Sequence, residues 1–164
     1  MDGFVGTFDY TVDSKGRLTV PSKFKNELGE KFMIRVHTQG KYVCIGLYND
    51  EGFKNAYEES LREAKNNAER KRKTFAFYAG ANEVSPDGKG RILVPLMTLQ
   101  KAGITNECIM VGMDDHVEVW NPERFDAYFN EVEEDEILEE TSYASESRIE
   151  AERRANGDFL GGNN

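Results

Sequence analysis

Near the start of the chain Phe8, Tyr10 and Val12 alternate with Asp9 and Thr11, the two-residue period of a strand with one buried face. The alternation breaks at Asp13-Ser14-Lys15-Gly16-Arg17 and resumes at Leu18 and Val20. This pattern predicts a hairpin whose turn is Asp-x-Lys-Gly-Arg, with Gly16 supplying the positive φ. Pro21 suits the first position of a helix and Gly29 the residue just past its end. Between them Phe24 and Leu28 form one apolar face. Phe32–Val36 reads as the next strand, Thr38–Lys41 as the turn of a second hairpin, and Asn49 as a helix N-cap. A helical pattern then runs over 50–73 through Phe53, Tyr57, Leu61 and Ala64 into the basic run Arg70–Lys73, read as a solvated helix end.

The same order of elements returns 74 residues later. Asp13-Ser-Lys-Gly-Arg-Leu-Thr-Val-Pro21 recurs as Asp87-Gly-Lys-Gly-Arg-Ile-Leu-Val-Pro95, and seven of the seventeen positions in 13–29 and 87–103 are identical. Pro95, Leu96, Leu99 and Gly103 repeat the short helix. Cys108–Val111 repeats the following strand, Asp114-Asp115 marks its turn, and Trp120-Asn121 echoes Tyr48-Asn49. Two copies at so long a period indicate a duplicated domain and not a solenoid. We therefore expect a first repeat at 3–49, a helical connector at 50–76, a second repeat at 77–121, an acidic helix at 122–140 and a flexible polar tail at 141–164.

Composition adds a class and removes others. The chain has 164 residues, of which 38% are hydrophobic and 31% charged, enough apolar content to form a core. No apolar run reaches the roughly 18 residues of a membrane span, and Met1-Asp2-Gly3-Phe4 lacks the basic and apolar regions of a signal peptide. The expected location is the cytoplasm. Cys44 and Cys108 are too few for a disulfide framework or a zinc cluster. The formal charge of −9 argues against a polyanionic partner, but it is unevenly spread. Residues 1–105 hold 17 Lys/Arg against 13 Asp/Glu, and residues 106–164 hold 4 against 17. A basic working surface followed by an acidic tail is the expected arrangement.

The repeated turn carries the candidate chemistry. An arginine fork matches a phosphate or the guanine O6/N7 edge, and a lysine supplies a point charge for phosphate. Asp13 and Asp87, four residues before Arg17 and Arg91, are placed to hold those side chains or to cap turn amides. A single copy would be no more than a good turn with a surface ion pair worth about 0–1 kcal/mol. Retention of both cations in two copies points beyond that.

These paired Asp-x-x-x-Arg turns, each followed by an apolar strand and a proline, resemble the motifs of the MraZ family over residues 3–130. The resemblance implies an α+β, β-rich fold of two tandem AbrB-like halves (a double-split β-barrel) with short helices and a C-terminal helix and tail. It implies a sequence-specific transcriptional regulator that binds double-stranded DNA, at direct repeats in its own promoter ahead of the division and cell-wall genes. It further implies a ring-shaped homo-oligomer on the cytoplasmic nucleoid. Asp13, Lys15, Arg17, Asp87, Lys89 and Arg91 carry over as the DNA-binding set. The long acidic tail and the Arg70–Lys73 run depart from the family pattern.

No enzyme, cofactor, metal or small-molecule substrate is expected. His37 and His116 sit at or beside predicted turns without flanking ligand patterns, and both cysteines fall in predicted strands as small hydrophobes. Trp120 and the aromatic helices read as core and subunit interface. The rival reading is an AbrB-fold antitoxin-like or scaffold protein that holds a protein partner through its C-terminal tail.

Overall fold

The computed structural model describes residues 3–137. The tail expected over 141–164 and the end of the acidic helix lie outside the described residues. Contact grouping gives two units, 1–125 and 126–164. The second is described only as the continuation of a helix over 122–137, which carries exposed Phe129 and Ile137. No described helix is long and apolar enough to cross a membrane.

The first unit is α+β and repeats its elements. The first copy runs β1 (Thr7–Thr11), β2 (Arg17–Thr19), α1 (Ser22–Leu28), β3 (Phe32–Gln39) and β4 (Tyr42–Tyr48). Two connector helices follow, α2 (Asp50–Leu61) and α3 (Asn67–Ala79). The second copy runs β5 (Asn82–Val84), β6 (Arg91–Leu93), α4 (Leu96–Ala102), β7 (Glu107–Gly112) and β8 (Val117–Trp120). The helix over 122–137 is α5.

The strands pair between copies in an order the local pattern does not reveal. The large sheet is antiparallel in the order β1-β7-β8-β4-β3-β5. The first strand of each copy thus edges the β-hairpin of the other, and β4 meets β8 at the centre, with Gly46 opposite Glu118. A separate ribbon pairs β2 with β6, with Leu18 opposite Ile92. Exchanging the halves leaves both orders unchanged. The predicted β1–β2 hairpin is corrected accordingly. Those segments share a single bridge, Val12 to Leu18, and each spends its remaining pairing capacity on the opposite copy. No closed barrel forms among the described residues.

Burial explains why the swapped pairing wins. Val12, Leu18, Val20, Phe24, Ile92 and Val94 are all at most 3% exposed and belong to one core with the central strands. A copy folded on itself could not cover this apolar surface, so the halves bury it mutually. Phe24 meets Phe4 and Phe8 edge to face, with ring centres 5.8 and 5.5 Å apart. The second copy's helix differs. Leu96, expected on its apolar face, is exposed, and Thr98, Leu99 and Ala102 face inward.

The helical pattern over 50–73 is interrupted, and the connector ends at Ala79 instead of residue 76. Asn66 starts a second helix: its side chain accepts from Glu69 N, and the Glu69 carboxylate accepts from Lys65 N. This reciprocal cap is what a sequence of Asn66-x-x-Glu69 favours. Arg70–Lys73 therefore lies in the middle of α3 and not at a helix end. Phe77 folds back onto Phe53 and Tyr57, at 5.0 and 5.4 Å, and the Arg35 guanidinium stands 4.0 Å over its ring.

Asn49 caps α2 by accepting from Gly52 N, as expected, and Asn121 caps α5 by accepting from Arg124 N. The proline positions shift by one: Pro21 and Pro95 occupy the N-cap itself. Asn121 also donates to Gly103 O at 2.7 Å. Replacing Asn121 by Ala removes a cap and a second hydrogen bond, an expected loss of about 1–3 kcal/mol. A fall in the urea midpoint at unchanged slope checks it.

Candidate nucleic-acid interface

The two Asp-x-Lys-Gly-Arg turns flank the β2–β6 ribbon. In the first, one Asp13 oxygen accepts from Lys15 N (2.9 Å) and Arg17 N (2.8 Å), and the other accepts from Arg17 Nε at 2.7 Å. The second repeats this: Asp87 accepts from Lys89 N, Arg91 N and Arg91 Nε at 2.9, 3.0 and 3.0 Å. Each aspartate therefore shapes its turn and orients its arginine together. The local sequence suffices for this, because both partners lie within four residues.

Glycine is required at the turn centre. Gly16 and Gly90 have φ of 83° and 76°, a region that L side chains rarely adopt. Their carbonyls accept from Val94 N and Val20 N of the opposite copy, each at 2.9 Å. A side chain at Gly16 would press on Val94 O at 3.0 Å. These bonds dock each turn onto the strand leaving the other turn.

Strand alternation then sorts the ribbon's faces. Leu18 and Ile92 point into the core, while Arg17, Thr19, Arg91 and Leu93 share the outer face. The arginines sit diagonally across one two-stranded ribbon and are not tips of two separate projecting hairpins. Lys15 and Lys89 are exposed beside them. The arginines are not equivalent. Both donate Nε to their aspartate, Arg91 also brings Nη2 to 2.9 Å from Asp87, and the Arg17 side chain is the more exposed, 35% against 25%.

The surroundings differ too. A groove of about 610 Å³ beside the first turn is lined by Leu96, Leu99 and Ile104, and one of about 600 Å³ beside the second by Lys25 and Lys31. A Cβ at Gly90 would lie 3.3 Å from the Lys25 ammonium, whereas Gly16 faces Leu99. Lys25 therefore adds a cation at the second turn that the motif itself does not contain. Aligning the copies pairs Lys25 with Leu99, so the difference was visible, but its placement over Gly90, 65 residues away, was not.

The backbone N–H of Arg91, then its guanidinium, pull the Asp87 carboxyl down to about 2 from 3.8, and Asp13 is lowered for the same reasons. A carboxyl lowered in the folded state stabilises it above the unfolded pKa and loses that contribution as pH falls through the folded value. The turn should thus stay braced until pH falls from 3.8 toward about 2. A carboxyl NMR titration should give Asp87 a midpoint near 2, rising in Arg91→Ala but staying below 3.8, because the two backbone N–H donors remain.

Both cysteines are buried thiols, Cys108 pushed up to about 12 by desolvation and Cys44 higher still, which makes them poor nucleophiles. The histidines depart from expectation. His37 and His116, 79 residues apart, meet at buried Glu118. Nothing local signals this, because β4 lies between the two strands that supply the residues.

A tandem-duplicated α+β fold with one aspartate-braced, doubly cationic turn per copy defines a narrow class of protein. The family model described as "MraZ protein, putative antitoxin-like" matches residues 4–75 and 77–154, one match per half. The chain belongs to the MraZ family. It is 37% identical over 139 residues to a "Transcriptional regulator MraZ" of Thermoanaerobacter, covering 82% of this chain and 94% of that one. A protein of the same name from Lachnoclostridium phytofermentans is 35% identical over 124 residues, covering 76% and 85%. One from Clostridium tetani is 31% identical over 140 residues, covering 85% and 96%. These relatives are named as regulators and not as enzymes.

Proposed function

We propose that the chain is a transcriptional regulator that binds double-stranded DNA in a sequence-specific way, as a ring-shaped homo-oligomer on direct repeats of its own promoter at the division and cell-wall gene cluster. Arg17 and Arg91 read base edges, Lys15 and Lys89 contact phosphates, and Asp13 and Asp87 position the arginines. The observation that carries this reading is the ribbon face: both arginines stand on one outward surface, each pre-oriented by its own aspartate. Holding a guanidinium in place before binding lowers the ordering cost of the contact. Family membership and the relatives' names support the regulatory role.

The acidic total charge is compatible with this, because local field near the cations governs the encounter more than the sum over the chain. Two similar halves allow head-to-tail contacts that close into a ring, and repeated weak contacts on one duplex raise avidity by orders of magnitude. Binding to the upstream duplex, followed by fluorescence anisotropy between about 50 and 200 mM salt, should weaken steeply. The Arg17→Ala/Arg91→Ala variant should lose binding with its oligomer mass unchanged. A flat salt response, or tight binding retained by the double variant, would refute the assignment. It would favour a scaffold or antitoxin-like protein that holds a protein partner through residues 141–164.

A further inference from the structure

We propose that His37, His116 and Glu118 form a binding site for a divalent zinc-class metal ion, using His37 Nε2, His116 Nε2 and one Glu118 oxygen (Oε2) as ligands. The three residues come from β3, the turn before β8, and β8 itself, so an ion held there would tie the two halves together across β4. This inference does not depend on the DNA-binding reading.

The ligand atoms already converge. All three lie within 4.8 Å of one another. His37 Nε2 stands 3.3 Å from Glu118 Oε2, and His116 Nε2 stands 2.7 Å from the same oxygen. Zinc bonds of about 2.0–2.1 Å at tetrahedral angles hold ligand atoms about 3.3 Å apart, so an ion needs only a small separation of His116 from Glu118. Two imidazoles and one carboxylate are a set that suits zinc, cobalt or nickel better than calcium or magnesium.

The outer sides of the ligands are also occupied as a metal site requires. His116 Nδ1 lies 2.7 Å from Asp115 Oδ1 and His37 Nδ1 lies 3.0 Å from Tyr48 Oη. The Asp115 carboxylate can only accept, so it makes His116 Nδ1 the donor and turns Nε2 inward, the carboxylate–histidine–metal arrangement. His37 Nε2 faces Gln39 Nε2 at 3.5 Å, a contact an ion would replace. The second oxygen of Glu118 accepts from Trp120 Nε1 at 3.0 Å, and Gln39 donates to Oε2 at 2.8 Å. These bonds fix the carboxylate, and an ion would take the place of the direct His116 Nε2 contact on Oε2.

Burial and access agree. Glu118 is 1% exposed and is hydrogen-bonded through both of its oxygens. A groove of about 520 Å³ reaches both imidazoles, and Asn55 and Glu59 of α2 line it.

Room for this arrangement depends on Gly46. A Cβ there would collide with the Tyr48 hydroxyl, which crosses over β4 to reach His37.

The test is calorimetric titration of the untagged full chain, stripped with chelator, with Zn2+ alone at neutral pH. The expected result is one ion per chain at micromolar affinity or better, and a visible cobalt(II) spectrum of low-symmetry coordination. His116→Ala and Glu118→Gln should weaken binding at least tenfold, and Asp115→Asn roughly 10- to 100-fold through loss of orientation. Circular dichroism identifies any variant that has unfolded. Absence of a one-per-chain site in the unaltered protein overturns the proposal whatever the variants do. So does equal binding by folded His116→Ala, which would place the zinc at other surface groups.

Discussion

The Arg17→Ala variant is expected to bind its promoter duplex roughly 10- to 100-fold more weakly than the unaltered chain, because a bidentate arginine–guanine contact is worth about 1–3 kcal/mol. Arg91→Ala should cost less. The Arg17 side chain is more exposed than that of Arg91, 35% against 25%, and Arg91 commits Nη2 to Asp87 at 2.9 Å. Freeing Arg91 breaks a partly exposed ion pair of about 0–1 kcal/mol, so the two variants should differ by a few-fold. Arg17→Lys should behave like Arg17→Ala on specific sequence, because an ammonium cannot form the fork. Lys15→Ala should instead weaken all sequences alike and reduce the salt slope by about one. Anisotropy on specific and scrambled duplexes at two salt concentrations separates these outcomes. The reverse ranking would make the second turn, with Lys25 beside it, the stronger contact.

Leu18→Ala should destabilise the protein by about 2–5 kcal/mol, a large share of the roughly 5–15 kcal/mol that holds a domain together. Leu18 is 0% exposed and Ile92, directly opposite, is 1% exposed. Their contact is the inner side of the ribbon whose outer side carries the arginines. The Leu18→Ala/Ile92→Ala pair should therefore be non-additive, with a coupling of about 0.5–3 kcal/mol. Urea melts of the two single variants and the double variant measure it. Strict additivity would mean that the ribbon is not what joins the halves.

Much of the site was legible in the residues. The duplication placed β2 with β6 and α1 with α4 at the same offset of 74. Asp13 and Asp87 cap and brace their turns as their position predicts, and Asn49 and Asn121 cap helices. These features depend on neighbours within four residues. The break before α3 was also written locally, in Asn66 and Glu69, but it was hidden by the longer run of helical periodicity. The exposure of Leu96 was not readable, since only packing decides which face of a seven-residue helix turns inward.

What the chain by itself determined is local: which segments extend, where they turn, which glycines take positive φ, and which aspartate holds which arginine. Tertiary structure decided the partners. β1 joins β7 about 100 residues away, both arginines share one ribbon, and His37 meets Glu118 over Gly46. The physical reason is range. Backbone sterics and side-chain-to-turn hydrogen bonds act over a few residues, whereas a strand's alternation specifies a buried face without specifying what covers it. Here mutual burial of two incomplete halves made that choice.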